Sequence, residues 1–222
     1  MRLEVVSLAA GGADEITVTF EMSDGERASK VRLLLPTEAY MRLDITKGEC
    51  SIELYEQAER EAETYSAYKR GLYILGYGQC SERMLISKLA AKGHQRAAAE
   101  RAVEQLRSAG YIDENASALR EAERCAAKLW GESRIRAALA EKRYSGEAIS
   151  NALYALEDGG LDFDENCKKL IAASYPEIPT DRAQMQKLVA AVCRKGYGVS
   201  QIKAACFAVQ SERRDKRHRL YD

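Results

Sequence analysis

Three short segments of the chain combine basic and aromatic side chains in the same order. Each has a lysine, then a glycine or an arginine, then a histidine or a tyrosine, and they are residues 92–94 (KGH), 142–144 (KRY) and 195–197 (KGY). Lysine and arginine are the side chains that contact phosphate groups, and aromatic rings can stack on unpaired bases. These residue types therefore indicate binding to an anionic partner rather than a chemical reaction.

Ten basic residues in and around these segments are candidates for partner contact. If several of them converge on one face, they would contact DNA phosphates or an acidic protein surface. The alternative for each residue is a solvated helix position paired with a nearby glutamate. We favour contact for the set as a whole and the solvated alternative for any single member. The candidates are Arg83, Lys88, Lys92, Arg134, Arg136, Lys142, Arg143, Arg194, Lys195 and Lys203.

The aromatic residues of these segments have a structural alternative to base stacking. Tyr144 and Tyr197 each follow the end of a predicted helix, where a ring can fold back onto that helix, so we expect them to pack. His94 occupies the same place, and we assign it no catalytic or metal-binding role. Trp130, which precedes a glycine, is expected to pack in the core or between repeats.

Motifs of catalysis and cofactor binding do not occur in the sequence. It has no G-x-x-x-x-G-K-[ST], G-x-S-x-G or H-E-x-x-H motif, and the stretch GLYILGYG follows a helix rather than a strand. The six cysteines form no C-x-x-C pair, and the chain has only two histidines. We therefore expect no enzyme activity, no cofactor and no metal site, and we expect reduced cysteines in a cytoplasmic protein.

Charge is distributed unevenly along the 222 residues, although the formal net charge is zero. Residues 1–65 contain 7 Lys and Arg against 14 Asp and Glu, and the remainder therefore contains 27 against 20. A basic larger part predicts an anionic partner. No apolar run reaches the ~20 residues of a membrane span, and the first residues lack the apolar core of a signal peptide.

The N-terminal residues alternate with the period of a half-buried strand. In EITVTFEM (15–22) apolar residues alternate with polar ones, LEVVSL precedes it across a predicted turn at Gly11 and Gly12, and VRLLL follows it. Pro36 should end this third strand. We predict a small three-stranded sheet that packs on a short helix at 37–43.

The rest of the chain repeats one helical pattern three times. Apolar residues recur at positions p, p+4, p+14, p+18 and p+21, where p is Leu85, Ile135 and Leu188. Further helices at about 51–75, 115–129 and 164–174 precede the pairs. The predicted fold is mainly α, with tandem three-helix repeats in an elongated curved array and a small N-terminal β-rich domain. The predicted parts are 1–48 (β-rich domain), 49–110, 111–160 and 161–210 (repeats 1 to 3), and 211–222 (basic tail).

Four stretches taken in order resemble the RecX family, the regulators of the RecA recombinase. They are SERMLISKLAAKG (81–93), GYIDE (110–114), GESRIRAALAEKRY (131–144) and VCRKGYGVSQI (192–202). The resemblance covers about residues 60–210. Two features depart from it: Arg143 stands where the family usually has glycine, and the N-terminal strands occur in only part of the family.

The resemblance implies a non-enzymatic regulator that binds the groove of the RecA–DNA filament and restrains filament growth, ATP hydrolysis and strand exchange. Some members of the family also bind DNA, so single- or double-stranded DNA is a further expected partner, and we expect a monomer. Two alternatives stay open from the residues alone. One is a helix-turn-helix-like DNA-binding protein that acts without RecA, and the other is a helical-repeat scaffold for another protein.

Overall fold

The computed structural model describes residues 2–25 and 27–218 of the chain. Contacts divide the chain into two compact units, Met1–Ile112 and Asp113–Asp222. Within the described residues, the first contains an antiparallel sheet and four helices, and the second contains six helices. A mainly α fold with a small N-terminal sheet is therefore confirmed, whereas the finer division into five parts stays a prediction.

The sheet consists of β1 (Arg2–Gly12), β2 (Glu15–Ser23), β3 (Ala28–Pro36) and β4 (Gly48–Glu49), in the order β3-β2-β1-β4. The fourth strand was not predicted, because two residues are too short to show a period of two. It is defined only by its pairing with β1. The predicted turn at Gly11 and Gly12 is also displaced, since both glycines belong to β1 and the chain turns at 13–14.

The first helix of repeat 1 is long and also packs on the sheet. Helix α1 (Thr37–Arg42) contacts the sheet as predicted, but α2 (Ile52–Gly76) also covers it: the rings of Phe20 and Tyr55 meet edge to face with centroids 5.1 Å apart. The second half of α2 packs on α4. There Gly71 permits a close approach, because a Cβ atom at this position would lie 2.6 Å from Leu106 Cδ1.

Each repeat consists of three helices, the first of which packs on the third. After α2 follow α3 (Glu82–Ala91), α4 (Arg96–Ser108), α5 (Glu114–Ala126), α6 (Glu132–Glu141), α7 (Gly146–Asp158), α8 (Phe163–Ser174), α9 (Arg182–Cys193) and α10 (Val199–His218). Every apolar position predicted from the repeat is buried. Helix α10 continues past the predicted repeat boundary at 210, and residues 219–222 of the predicted tail lie outside the described residues.

Candidate partner-binding surface

The three basic segments form turns at the ends of α3, α6 and α9 and share a backbone conformation. The residue after the lysine is left-handed in each turn, with φ of 95° at Gly93, 62° at Arg143 and 97° at Gly196. In the first two turns the next residue donates its backbone N–H to the helix, from His94 to Leu89 and from Tyr144 to Leu139. Such bonds satisfy carbonyl groups that the end of a helix leaves unpaired.

The aromatic residues of the second and third turns are packing residues, as predicted. Tyr144 and Tyr197 are both buried in the cores of their repeats. The hydroxyl of Tyr197 donates to the carbonyl of Leu129 at 3.1 Å, and burial raises the pKa of this tyrosine. Neither ring offers a face on which a base could stack.

The turn of repeat 3 packs against the start of α6 in repeat 2. The N–H of Gly131 donates to the carbonyl of Lys195 at 2.8 Å, and Ser133 Oγ donates to the carbonyl of Gly196 at 2.9 Å. A Cβ atom on Gly131 would lie 2.4 Å from the oxygen of Gly196. Only glycine therefore fits at this position without movement of the backbone.

This contact brings three of the predicted candidates together. Arg134 donates from its guanidinium to the carbonyl of Arg194 at 2.7 Å, and Lys195 is the next residue. The same guanidinium lies 4.0 Å from the ring centre of Trp130, and Lys128 Nζ lies 5.4 Å from it. Trp130 itself packs on the core of repeat 2, as predicted. Arg134 thus joins two repeats and stacks on an indole ring.

Two other candidates lie on the same helix or directly after it. Arg136 is exposed and paired with Glu132 at 3.0 Å. Lys142, about 12 Å along α6 from Arg134, is paired with the buried carboxylate of Glu121, which Arg124 also contacts. Because a buried carboxylate without a cation is costly, Lys142 has a structural role.

The remaining candidates are exposed. Arg143 follows Lys142 in the turn, and Lys203 lies on α10 in repeat 3. Arg83, Lys88 and Lys92 are exposed at α3, in the other compact unit.

Comparison with known proteins identifies the family. No protein-family model matches the chain. A protein of Xanthomonas axonopodis pv. citri named "Regulatory protein RecX" is 33% identical over 147 residues, which are 66% of this chain and 89% of the relative. The chain belongs to the RecX family. A RecX relative from Stenotrophomonas maltophilia is 29% identical over 148 residues, covering the same shares of the two chains.

Solved RecX structures have the same fold. A crystal structure of regulatory protein RecX has a TM-score of 0.68 at 21% identity and covers 91% of this chain and 99% of its own. RecX from Lactobacillus salivarius has a TM-score of 0.57 at 16% identity and covers 67% and 97%. The family resemblance predicted from the four sequence stretches is confirmed.

Sequence reasoning missed one basic residue of this RecX-family chain that fixes the end of repeat 3. Arg213, which the sequence placed in the basic tail, donates from its guanidinium to the carbonyls of Ala172 (3.0 Å) and Tyr175 (2.9 Å). It thereby satisfies carbonyl groups at the C-terminus of α8. A signal was present, because Arg213 follows Val209 by one helical turn on the apolar stripe of α10.

Two further findings concern the described part of this RecX-family chain. None of its helices is both long and apolar enough to cross a membrane. Within the same residues, no group of three or more His, Cys, Asp or Glu side chains is arranged to hold a metal ion.

Proposed function

We propose that this chain regulates a RecA recombinase in the cytoplasm, as a monomer, by binding the RecA filament on DNA. The proposed effect is inhibition of RecA ATP hydrolysis and strand exchange, with no reaction catalysed by the chain itself. Membership of the RecX family carries the proposal, since the relatives are named regulatory proteins. The predicted contacts are cations of the helical repeats.

Exposed cations of the second unit support this proposal. Arg143, Arg194 and Lys203 are all exposed, and none of the three guanidinium or ammonium groups fills a core position. The contact between the repeat-3 turn and α6 fixes the backbone that carries Arg194. A cation on an ordered backbone loses less conformational entropy on binding than one on a mobile segment.

RecA ATPase activity on single-stranded DNA tests the proposal, with the chain titrated below one copy per RecA protomer. The test variant combines Arg143→Glu, Arg194→Glu and Lys203→Glu. Lys142 is left unchanged because its loss would leave the Glu121 carboxylate without one of its cations.

A matched control reverses three other exposed cations of the same unit, by Lys169→Glu, Arg182→Glu and Lys187→Glu, with the same change in net charge. We expect the wild type and the control to suppress ATP hydrolysis and the test variant to require a higher concentration. Equal weakening of both variants would indicate a general charge effect without a specific contact surface.

No suppression by the wild type at any ratio up to equimolar would refute the inhibitor proposal. Site-specific binding to duplex DNA without RecA, persisting at moderate salt, would then favour the helix-turn-helix alternative, because non-specific phosphate binding falls steeply with salt. Absence of both effects would favour the scaffold alternative.

A further inference from the structure

Two tyrosines at the end of α2 form an exposed pair, here called the tyrosine pair, Tyr73 and Tyr77. Tyr73 is 58% exposed and Tyr77 is 79% exposed. The ring centroids are 5.0 Å apart at an interplanar angle of 69°, and the hydroxyl of Tyr77 donates to that of Tyr73 at 2.8 Å. Two exposed aromatic rings that lie side by side offer apolar faces to a partner.

The sequence around the tyrosine pair is basic. Between Glu63 and Glu82 the chain contains no acidic residue. It contains Lys69, which is paired with Glu15 on the sheet, and Arg70, whose guanidinium lies 5.7 Å from the ring centre of Tyr73. The cation closest to the pair along α2 is therefore associated with an aromatic face rather than with a carboxylate.

Acidic residues between the tyrosine pair and the end of the first unit are neutralised locally. Three carboxylates occur from residue 82 to the end of the first unit, and each is paired with an arginine: Glu82 and Glu104 with Arg107, and Glu100 with Arg96. Residues 64–112 contain eight Lys and Arg against these three carboxylates, so the part of the first unit that follows Glu63 presents a positive potential to an approaching polyanion.

The loop after the tyrosine pair is ordered by contacts within the same unit. Gln79 Nε2 donates to the carbonyl of Tyr111 at 3.3 Å. Tyr77 is the C-terminal cap of α2. The two tyrosine hydroxyl groups are hydrogen-bonded to each other, and Tyr77 caps the helix. A ligand that stacks on the rings would therefore cost little side-chain conformational entropy.

We propose that the tyrosine pair, with Arg70 beside Tyr73, is a stacking site for unpaired bases of single-stranded DNA. Bases would stack on the ring faces and the Arg70 guanidinium would contact a phosphate, which is how proteins hold single strands without reading their sequence. Duplex DNA does not fit this role, because its bases are already stacked. The proposal deepens the proposed function and rests on it for the choice of DNA as ligand.

Fluorescence anisotropy of labelled oligonucleotides tests this site with the full chain and without RecA. One probe is oligo-dT, and the other has the same length and backbone but abasic positions. We expect the wild type to bind oligo-dT more tightly than the abasic strand. Tyr73→Ala combined with Tyr77→Ala should reduce the affinity for oligo-dT at least about fivefold, the lower end for one stacked base, and leave the abasic affinity unchanged.

Two further variants separate stacking from other effects. Tyr77→Phe retains the ring and should bind oligo-dT within about twofold of the wild type. Tyr154→Ala removes an equally exposed tyrosine (70%) from α7, a helix without lysine or arginine, and should bind like the wild type.

Equal binding of the two probes by the wild type would overturn the proposal, as would an equal loss for both probes in the double variant or no loss at all. Suppression of RecA ATPase by the wild type without detectable binding to oligo-dT would also overturn it. That last result would leave the proposed RecA regulation standing and would favour a protein partner for the tyrosine pair.

Discussion

Replacement of Arg143 by glycine should stabilise the second unit, because the arginine is held in a left-handed conformation. Its φ of 62° corresponds to that of Gly93 and Gly196 in the other two turns. A residue with a Cβ atom has a cost of ~1–2 kcal/mol in this region, whereas glycine has a cost of ~0.5–1 kcal/mol through the greater freedom of the unfolded chain. The midpoints of these two ranges differ by about 0.7 kcal/mol, which is the gain in the free energy of unfolding expected from relief of the backbone strain.

Arg143 makes further contacts within the chain, so a second variant is required to isolate the backbone effect. Arg143→Ala removes those contacts and retains the strained backbone. Arg143→Gly should therefore be more stable than Arg143→Ala by about 0.7 kcal/mol, independently of what the arginine contacted. For a unit of this size, that difference corresponds to a shift in Tm of about 3–5 °C.

Urea denaturation followed by far-UV circular dichroism measures the difference, with separate fits if the two units unfold in separate transitions. Gly93→Ala gives the reciprocal control, since a Cβ atom there would have no neighbour within 4 Å among the described residues, and only the backbone conformation (φ 95°) would oppose it. Gly93→Ala should lower the free energy of unfolding by about 0.7 kcal/mol, the same amount by which Arg143→Gly should exceed Arg143→Ala. An Arg143→Gly variant that is no more stable than Arg143→Ala would refute the strain argument.

Function should change in the opposite direction to stability at this position. Strained conformations persist at functional sites when the side chain is needed there. If Arg143 contacts the filament, Arg143→Gly will be the more stable protein and the weaker inhibitor of RecA ATPase. Unchanged inhibition would remove Arg143 from the contact surface.

Three further predictions concern stability and are measured by denaturation. Gly196→Ala should cost ~2–4 kcal/mol, more than Gly93→Ala, because its Cβ would lie 2.6 Å from a backbone nitrogen of α6; equal costs would contradict this. Arg213→Ala should cost ~1–3 kcal/mol by leaving two carbonyls of α8 without their donor, whereas exposed Arg214→Ala should cost little. Burial raises the pKa of the Cys167 thiol from 9.0 to about 12. The unfolded thiol therefore loses its proton first, and the free energy of unfolding should fall as the pH rises through this interval; a Cys167→Ala variant should show a smaller fall.

The helical repeats could be predicted because their signal is local and is repeated three times. The apolar positions counted from Leu85, Ile135 and Leu188 are buried in all three repeats. A helix that packs on a core must place apolar residues at this spacing. Helix ends were predicted less closely: the helix expected at 115–129 is Glu114–Ala126.

The residues of the candidate surface were harder to predict, because contacts distant in the sequence decide their roles. Arg134 and Lys142 have the same side-chain chemistry as the exposed candidates. One is bound to a backbone carbonyl 60 residues away, and the other to the buried carboxylate of Glu121. No local pattern distinguishes a cation that faces solvent from a cation that neutralises a buried acid. For the tyrosine pair a local signal existed, since the two residues are four apart on α2, but helical spacing alone does not reveal exposure.

The three turns have one backbone conformation but differ in what surrounds them, and this difference limits which candidates can contact a partner. The turn of repeat 3 packs on Gly131. A Cβ atom on its left-handed residue, Gly196, would lie within 3 Å of backbone atoms of Gly131 and Arg134. A Cβ atom on Gly93 would have no neighbour within 4 Å among the described residues. In repeat 2 the corresponding residue is the exposed Arg143. Contact through the turns should therefore involve repeats 1 and 2, whereas repeat 3 should contribute Arg194 at the C-terminal end of α9 and Lys203 on α10. Substitution of Arg143 should accordingly weaken RecA inhibition more than substitution of Lys195.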